Sequence, residues 1–312
     1  MTIGVIGTLN TEVILGPVAR LPDWGRQTCV AELERRHMGS APSVALPLAR
    51  LGLDTVVLGA VGDDDAGRLV LDSLRQHGLS TDGVAIVPRT PTGICVSVFN
   101  PDGERLYLSS LGAIAALDLE TVAGTMWPTL QGCDLVLLTG LFLLPGLGID
   151  GATECFARLK EHGVTTALDT GWDTAGWPPG TVQAVRGLLG KTDLFLPNLA
   201  EARALGAGDT PEEVARSLCA MGPREVAVTL GRDGGVVATG GELVRDGGFA
   251  RDVRDTTAAG EAFNAGYLCG HCRGLAPAES LRLANATASL FLASGTYPTL
   301  AQAHALARSP GR

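Results

Sequence analysis

The sequence predicts a doubly wound α/β fold: a central, mostly parallel sheet with helices on both faces, and a small β-sheet lid. Three observations predict it. Short apolar, β-branched runs alternate with longer amphipathic stretches along most of the 312 residues, the pattern of strand–helix–strand units. Two regions break that rhythm with period-2 alternation around turn residues, which marks an accessory sheet. The composition, 46% hydrophobic and 18% charged, is that of a folded chain with ample core.

Taken in order, Thr2–Gly7 is apolar and β-branched and reads as a strand. Ser43–Leu51 reads as a helix, with Val44, Leu46, Leu48 and Leu51 apolar and Gly52 just past its end. Thr55–Ala60 is a second buried strand. Asp64–His77 is a helix that opens on acidic residues, as its dipole favours, and stops at Gly78. Leu135–Thr139, Thr165–Asp169, Leu194–Leu196 and Glu225–Leu230 are further strands. Helical patterns at Ala152–His162, Val182–Leu189 and Pro211–Met221 separate them. The interruptions lie at about 12–38 and 90–109. The second of these carries Ile94–Phe99, a turn at Asn100-Pro101-Asp102-Gly103, and Leu106–Leu108, a hairpin signature. No linker divides the chain, so residues 1–312 are expected to form one α/β domain with the lid as an insertion.

Charge and cysteine usage bound the function. Lys and Arg number 24 against 33 Asp and Glu, for a net charge of −9, which argues against a nucleic-acid partner. Met1–Asn10 has no basic segment ahead of its apolar residues, unlike a signal peptide. The longest apolar stretch, Leu135–Ile149, is broken by Gly140, Pro145, Gly146 and Gly148 and falls short of the ~20 residues of a membrane span. Seven scattered cysteines suit reduced thiols, so a cytoplasmic protein without a membrane partner is expected.

The segment Asp255-Thr256-Thr257-Ala258-Ala259-Gly260-Glu261 leads from small residues into an apolar helical pattern at Ala262–Leu268. Free N–H groups at such a helix start bind anions, and Ala and Gly admit a phosphate closely. A carboxylate there, Glu261, is placed to take a proton from a hydroxyl attacking a phosphoryl group. The plainer alternative is ordinary capping, with Asp255 or Thr256 as the cap and Glu261 matching the dipole.

This segment resembles the C-terminal signature of the ribokinase-like (PfkB) carbohydrate kinases, D-T-x-G-A-G-D. Other matches follow in the right order. Gly39–Ala45, Leu48–Gly52 and Gly59–Asp64 with Gly67 resemble the N-terminal signature. Gly103-Glu104-Arg105 and Gly112-Ala113 resemble the lid strand and the segment after it. Pro197–Glu201 matches N-x-x-E, and Val228–Gly234 resembles the nucleotide-loop strand. The resemblance spans nearly the whole chain and implies a ribokinase-like fold and an ATP-dependent kinase of a small sugar or sugar acid (2-dehydro-3-deoxygluconate, fructose or ribose type). In the family the aspartate ending the signature is the general base; here that position is Glu261. The resemblance further implies an anion hole at Ala258, Ala259 and Gly260. It places water-mediated Mg²⁺ at Asn198 and Glu201, and the nucleotide at Thr229, Gly231 and Gly234, with Asn285 on the last helix. The sugar falls at Glu12, Gly39, Ser43 and Arg105, a K⁺-type monovalent cation at Asp255 and Thr257, and a homodimer through the lid. Glycines 39, 231, 234 and 260 are expected where backbone approaches a ligand.

Some positions depart from the pattern. Glu261 is one methylene longer than the usual aspartate, Glu12 stands for a substrate-binding aspartate, Ser43 for an asparagine, and Met38 for one of a pair of glycines. These changes gather at the sugar end. They keep open a weakened or inactive nucleotide- or sugar-binding member, and a nucleoside kinase, as alternatives. Cys269-Gly270-His271-Cys272 spells a redox motif but falls at the far end of a helix, and reads as two semi-buried thiols. Gly190-Lys191-Thr192 lacks the spacing and the strand–helix context of a P-loop. Asp63-Asp64-Asp65 reads as a helix cap, and Trp127, Trp172 and Trp177 as loop packing.

Overall fold

The computed structural model describes residues 1–102, 104–249 and 258–309. The chain runs through β1 (Thr2–Ile6), β2 (Asn10–Gly16), β3 (Glu32–Met38), α1 (Ser40–Arg50), β4 (Asp54–Gly62), α2 (Asp65–Gln76), β5 (Ser80–Val87), β6 (Gly93–Phe99) and β7 (Arg105–Ser110). Two short turns of helix follow, α3 (Leu119–Thr121) and α4 (Trp127–Leu130), then β8 (Leu135–Thr139), α5 (Gly148–Glu161), β9 (Thr165–Asp169), α6 (Pro179–Leu189) and β10 (Leu194–Phe195). The last third comprises α7 (Leu199–Leu205), α8 (Pro211–Cys219), β11 (Glu225–Thr229), β12 (Gly235–Thr239), β13 (Leu243–Asp246), α9 (Ala259–Cys272), α10 (Pro277–Ser294) and α11 (Leu300–Ala307).

Among the described residues the main sheet has nine strands in the order β13-β12-β11-β10-β9-β8-β1-β4-β5. From β11 across to β5 every pairing is parallel, and only β12 and β13 run antiparallel. A parallel sheet must be covered on both faces, and its strands alternate accordingly. Ile3, Val5, Leu135 and Leu137 pack toward α1, α2, α9 and α10, while Ile6, Val136 and Leu138 pack toward α5, α6, α7 and α8. The predicted fold class is therefore observed, and several boundaries differ. The first helix begins three residues before Ser43, at Ser40, and tolerates Pro47 inside it. The strand expected over Leu194–Leu196 is only Leu194–Phe195. The strands β5, β12 and β13 lie outside the predicted set. β5 is an edge strand interrupted by Thr81, Asp82 and Gly83, whereas Val236–Thr239 followed by Gly240-Gly241 is a hairpin signal present in the sequence.

Four further strands form a small sheet in the order β3-β2-β6-β7, with β2 and β6 parallel and both outer pairs antiparallel. The β6–β7 turn is closed by Asn100, whose side-chain oxygen accepts from the N–H groups of Asp102 and Glu104 at 3.0 and 2.9 Å; Gly103 of the predicted turn lies outside the described residues. This small sheet is tied to the main one by Asp64. Its carboxylate caps α2 through Gly67 N–H (2.9 Å) and accepts from the N–H and hydroxyl of Thr92, at 2.9 and 2.6 Å, just before β6 starts. The cap reading of the acidic triplet therefore holds for Asp64, and those hydrogen bonds keep its carboxyl below the usual range against the desolvation that burial imposes.

Where β1 leaves the sheet, Thr8 and Ser40 exchange hydrogen bonds. Thr8 N–H donates to Ser40 Oγ and Ser40 N–H to Thr8 Oγ1, both at 2.9 Å, and Ser40 Oγ donates to Thr139 O at 3.2 Å. This stitch crosses the point where strand order reverses around β1, the usual ligand crevice of such sheets. Gly39 belongs to the stitch: at φ +135° a Cβ would lie 2.1 Å from Thr8 O. Its need for glycine is therefore already accounted for by the protein's own backbone. Gly39→Ala is expected to lower stability by about 1–3 kcal/mol without any ligand present. Urea denaturation of the unliganded protein is the check, and an unchanged midpoint would refute the packing account.

Candidate active site

The parallel strands all end on one edge of the sheet. That edge carries, in spatial order, Gly231 after β11, Asn198 and Glu201 after β10, Asp169 at the end of β9 and Thr139 at the end of β8. The helix α9 opens toward the same edge: its carboxylate Glu261 is subject to the charge of Asp169, and Asn264, one turn on, donates to Asp169 Oδ2 at 3.2 Å.

Each acidic group is held by a specific local device. Asn198 and Glu201 form a capping box on α7, with Glu201 N–H to Asn198 Oδ1 at 3.0 Å and Asn198 N–H to Glu201 Oε2 at 3.1 Å. Asn198 Nδ2 adds a 2.6 Å bond to Glu201 Oε1. An N-x-x-E motif thus buries its glutamate, only 4% exposed, beside the strand ends. Asp169 accepts from Thr139 Oγ1 (3.0 Å), Gly171 N–H (3.2 Å) and Asn264 Nδ2. Sequence reasoning passed over Asp169. Its signal was an acidic residue at the end of an apolar strand, followed by Thr170-Gly171, on the edge where Asn198 was already placed.

Burial raises all three carboxyls, and the Asp169 charge raises the other two further. Burial first, and then the Asp169 charge, lifts Glu201 to about 8, with Glu261 contributing. Burial and Asp169 likewise lift Glu261 to about 7, and Glu12 on β2 adds to it. Glu261 is only half-buried as a residue, but its carboxylate is enclosed where water screens it little. Asp169 is raised as well, chiefly by burial. On β2, Glu12 has Arg36 opposite it in register. Tyr297 is a further residue of this corner that the sequence did not reveal. Its hydroxyl donates to the carbonyl of Ser43 at 3.4 Å, and burial and the Glu261 charge raise it.

The mouth of α9 presents backbone N–H groups without intrahelical partners. Ala258 precedes α9 in a left-handed conformation (φ 60°). Among the described residues, a Cβ on Gly260 would meet nothing within 4 Å. Asp255 and Thr257, the expected cation ligands, and Thr256, an alternative cap, lie outside the described residues. After β11, Thr229 bridges Asn198 as a parallel partner, and Leu230 N–H closes the Gly231–Gly234 turn onto Gly234 O at 2.9 Å. Among the described residues, Gly231 (φ +62°) has open space where a Cβ would stand. Gly234 does not: a Cβ there would sit 2.0 Å from Asp246 O, so its own chain demands glycine.

Two of the expected residues also make contacts within the protein. Arg105 sits four residues along the small sheet from Ser109, which is in register with Cys95 beside Glu12, and spans Ser97 Oγ (3.2 Å) and the Phe99 ring (5.5 Å). Asn285 lies on α10, with α11 still to follow, and its amide donates to Asp246 Oδ1 at 2.7 Å. The cysteines are all free thiols, and Cys269 and Cys272 end α9 away from its mouth.

A family model for the pfkB family carbohydrate kinases matches residues 3–298. The chain belongs to the pfkB family of carbohydrate kinases. An uncharacterized sugar kinase of Archaeoglobus fulgidus is 32% identical over 251 residues, covering 78% of this chain and 92% of that protein. The 2-dehydro-3-deoxygluconokinase of Bacillus subtilis is 28% identical over 270 residues, 84% and 82% of the two chains. In structure, Arabidopsis thaliana ribokinase complexed with ribose and ATP aligns over 99% of both chains with a TM-score of 0.82 at 24% identity. Membership makes this an ATP-dependent sugar kinase with a ribokinase-like fold. Among the described residues no helix is long and apolar enough to cross a membrane.

The raised carboxylates set the pH response of the unliganded kinase. A carboxyl whose folded pKa exceeds its unfolded value binds more protons when folded, so its stabilising effect is complete below about 4.5 and fades as pH rises. Stability is expected to fall between about pH 4.5 and 8, by up to about 3 kcal/mol from Glu261 alone. Urea titrations across that range should show the slope, and Glu261→Gln should flatten it; a slope unchanged in that variant refutes the assignment.

Proposed function

We propose that this kinase phosphorylates a hydroxyl of a small sugar or sugar acid, with Glu261 as general base and ATP as donor. The observation that carries the reading is Glu261 at the mouth of α9, raised to about 7 by burial and Asp169. A base with a pKa near the working pH combines the right protonation state with proton affinity. The relatives named sugar kinase and 2-dehydro-3-deoxygluconokinase support the substrate class.

The residues divide the work. Backbone N–H groups of Ala258, Ala259 and Gly260 receive the oxygens of the transferring phosphoryl group, where the helix dipole offsets its growing charge. Glu261 takes the hydroxyl proton as the oxygen attacks. Thr229, Gly231 and Gly234 bound the nucleotide. Glu12, Ser43, Gly39 and Arg105 surround the sugar from the lid and α1, and closure of the lid excludes water. Asp169, Glu201 and Asn198 offer hard oxygen donors of the kind that suits Mg²⁺, and Glu201 at about 8 is a carboxylate short of positive charge. Among the described residues no three His, Cys, Asp or Glu side chains stand together as a complete metal cage, so water and phosphate oxygens would complete the shell. When bound, Mg²⁺ neutralises charge on the phosphates. A monovalent cation at Asp255 and Thr257 belongs to the same reading, as does a cytoplasmic location, which the free thiols support.

The lid also supports a homodimer. Opposite the face that carries Glu12, the small sheet presents Val13, Leu15, Val96 and Leu106, with Leu33, Ile94 and Leu108 exposed at 58%, 42% and 65%. A second copy laid on this apolar face removes it from water.

Two tests follow. A screen of sugars, sugar acids and nucleosides with Mg-ATP should find one acceptor, and Glu261→Gln should lower its kcat by roughly 10²–10⁴-fold with Glu261→Asp retaining turnover. ATP binding without turnover of any acceptor, by wild type and Glu261→Asp alike, would favour the non-catalytic reading. Leu108→Glu should convert the dimer to monomer in analytical ultracentrifugation, and a wild-type monomer would end the dimer proposal.

A further inference from the structure

The Gly231–Gly234 turn packs against the backbone of Asp246. This last residue of β13 is in register with Gly235, and its carbonyl packs so tightly against Gly234 that no side chain fits there. Its side chain is fully engaged. Oδ1 accepts from Asn285 Nδ2 at 2.7 Å and from Gly248 N–H at 2.9 Å, and Oδ2 from Arg282 Nη1 at 2.7 Å. Arg282 is itself a junction. Its Nε and Nη2 donate to the carbonyls of Ala307 and Ser309 at the C-terminal end, and its guanidinium lies 5.0 Å over the Phe249 ring. Gly248 in turn lies against Gly234 and Asn285. One charged hub therefore joins the turn, α10 and the residues that follow α11.

We propose that Asp246 and Arg282 are positioning residues that fix the Gly231–Gly234 turn for nucleotide binding, and that the C-terminal residues reach the nucleotide site through them. The inference rests on reading that turn as the nucleotide loop. The geometry favours a positioning role over mere cohesion. The hub lies at the rim of the sheet, beyond the core clusters on either face, and its backbone contact is with the turn itself. A charge-assisted junction whose guanidinium nitrogens each have their own acceptor, Asp246 Oδ2 and the carbonyls of Ala307 and Ser309, holds geometry better than apolar packing does, because a guanidinium fork accepts only a narrow range of partner positions. It also explains Asn285, which acts on the nucleotide site through Asp246.

The experiment measures the affinity of a non-hydrolysable ATP analogue with Mg²⁺ by calorimetry, alongside the thermal midpoint of the nucleotide-free protein. Asp246→Asn keeps the side-chain shape and loses the charge that pairs with Arg282. Arg282→Lys keeps the charge and loses the fork, and removal of residues 307–312 takes away the two carbonyls. All three are expected to weaken the analogue about tenfold or more with little change in midpoint, Asp246→Asn the most. Affinity within about twofold of wild type in Asp246→Asn overturns the proposal. So does a loss of affinity that merely tracks a falling midpoint, since that is the signature of a structural role. Gly231→Val separates the hub from the reading beneath it. If Gly231→Val abolishes binding while Asp246→Asn does not, the hub falls and the nucleotide loop stands. If Gly231→Val leaves affinity intact, both fall.

Discussion

Like charges gathered at one edge of a parallel sheet are the constraint around which this molecule is organised. Asp169, Glu201 and Glu261 come from β9, the loop after β10, and α9, and each is raised by its surroundings. Carboxylates brought together out of water repel one another and lose solvation, so the arrangement survives only where donors and cations offset it. The fold supplies part of that offset. Thr139, Gly171 and Asn264 serve Asp169, the capping box serves Glu201, and the positive end of α9 faces Glu261. What remains is an acidic edge in a chain of net charge −9. In the function proposed above, the attraction for ATP is local, through a helix mouth and a bound cation, and needs no basic surface.

The tightly packed backbone around that edge serves the same end. The Thr8–Ser40 exchange locks β1 to α1 and β8, and the Asp64–Thr92 clasp fixes where the small sheet leaves the large one. Both are networks of short polar side chains against backbone, stiff because their donors and acceptors are satisfied within the protein. The small sheet then divides its two faces. Glu12 and Arg36 lie on one, and Val13, Leu15, Leu33, Val96 and Leu108 lie on the other with Arg35 and His37. Period-2 alternation makes that division automatic once register is set.

Much of the site was legible because its residues are local in sequence. A helix mouth needs only a run of small residues before an amphipathic pattern, and a capping box needs only Asn198 and Glu201 three apart. Why Gly39 and Gly234 must be glycine was not legible. In both, the atom that forbids a side chain belongs to a distant strand, Thr8 or Asp246, and no local pattern reports it. Asp169 and Tyr297 escaped for the same reason: one is brought to the site by strand order and the other by the packing of the segment after α10.

The sequence by itself determined the alternation of strands and helices, the family to which the chain belongs, and the residue types at the helix mouth. Those follow from periodicity and from spacing within a few residues, where chain geometry alone dictates what meets what. Only the tertiary structure decided which carboxylates share one low-dielectric space, which glycines yield to neighbouring backbone, and which side chains tie Asp246 to α10 and the C-terminal residues. Those outcomes depend on through-space distances between segments far apart in the chain, and electrostatic coupling follows those distances and the local dielectric.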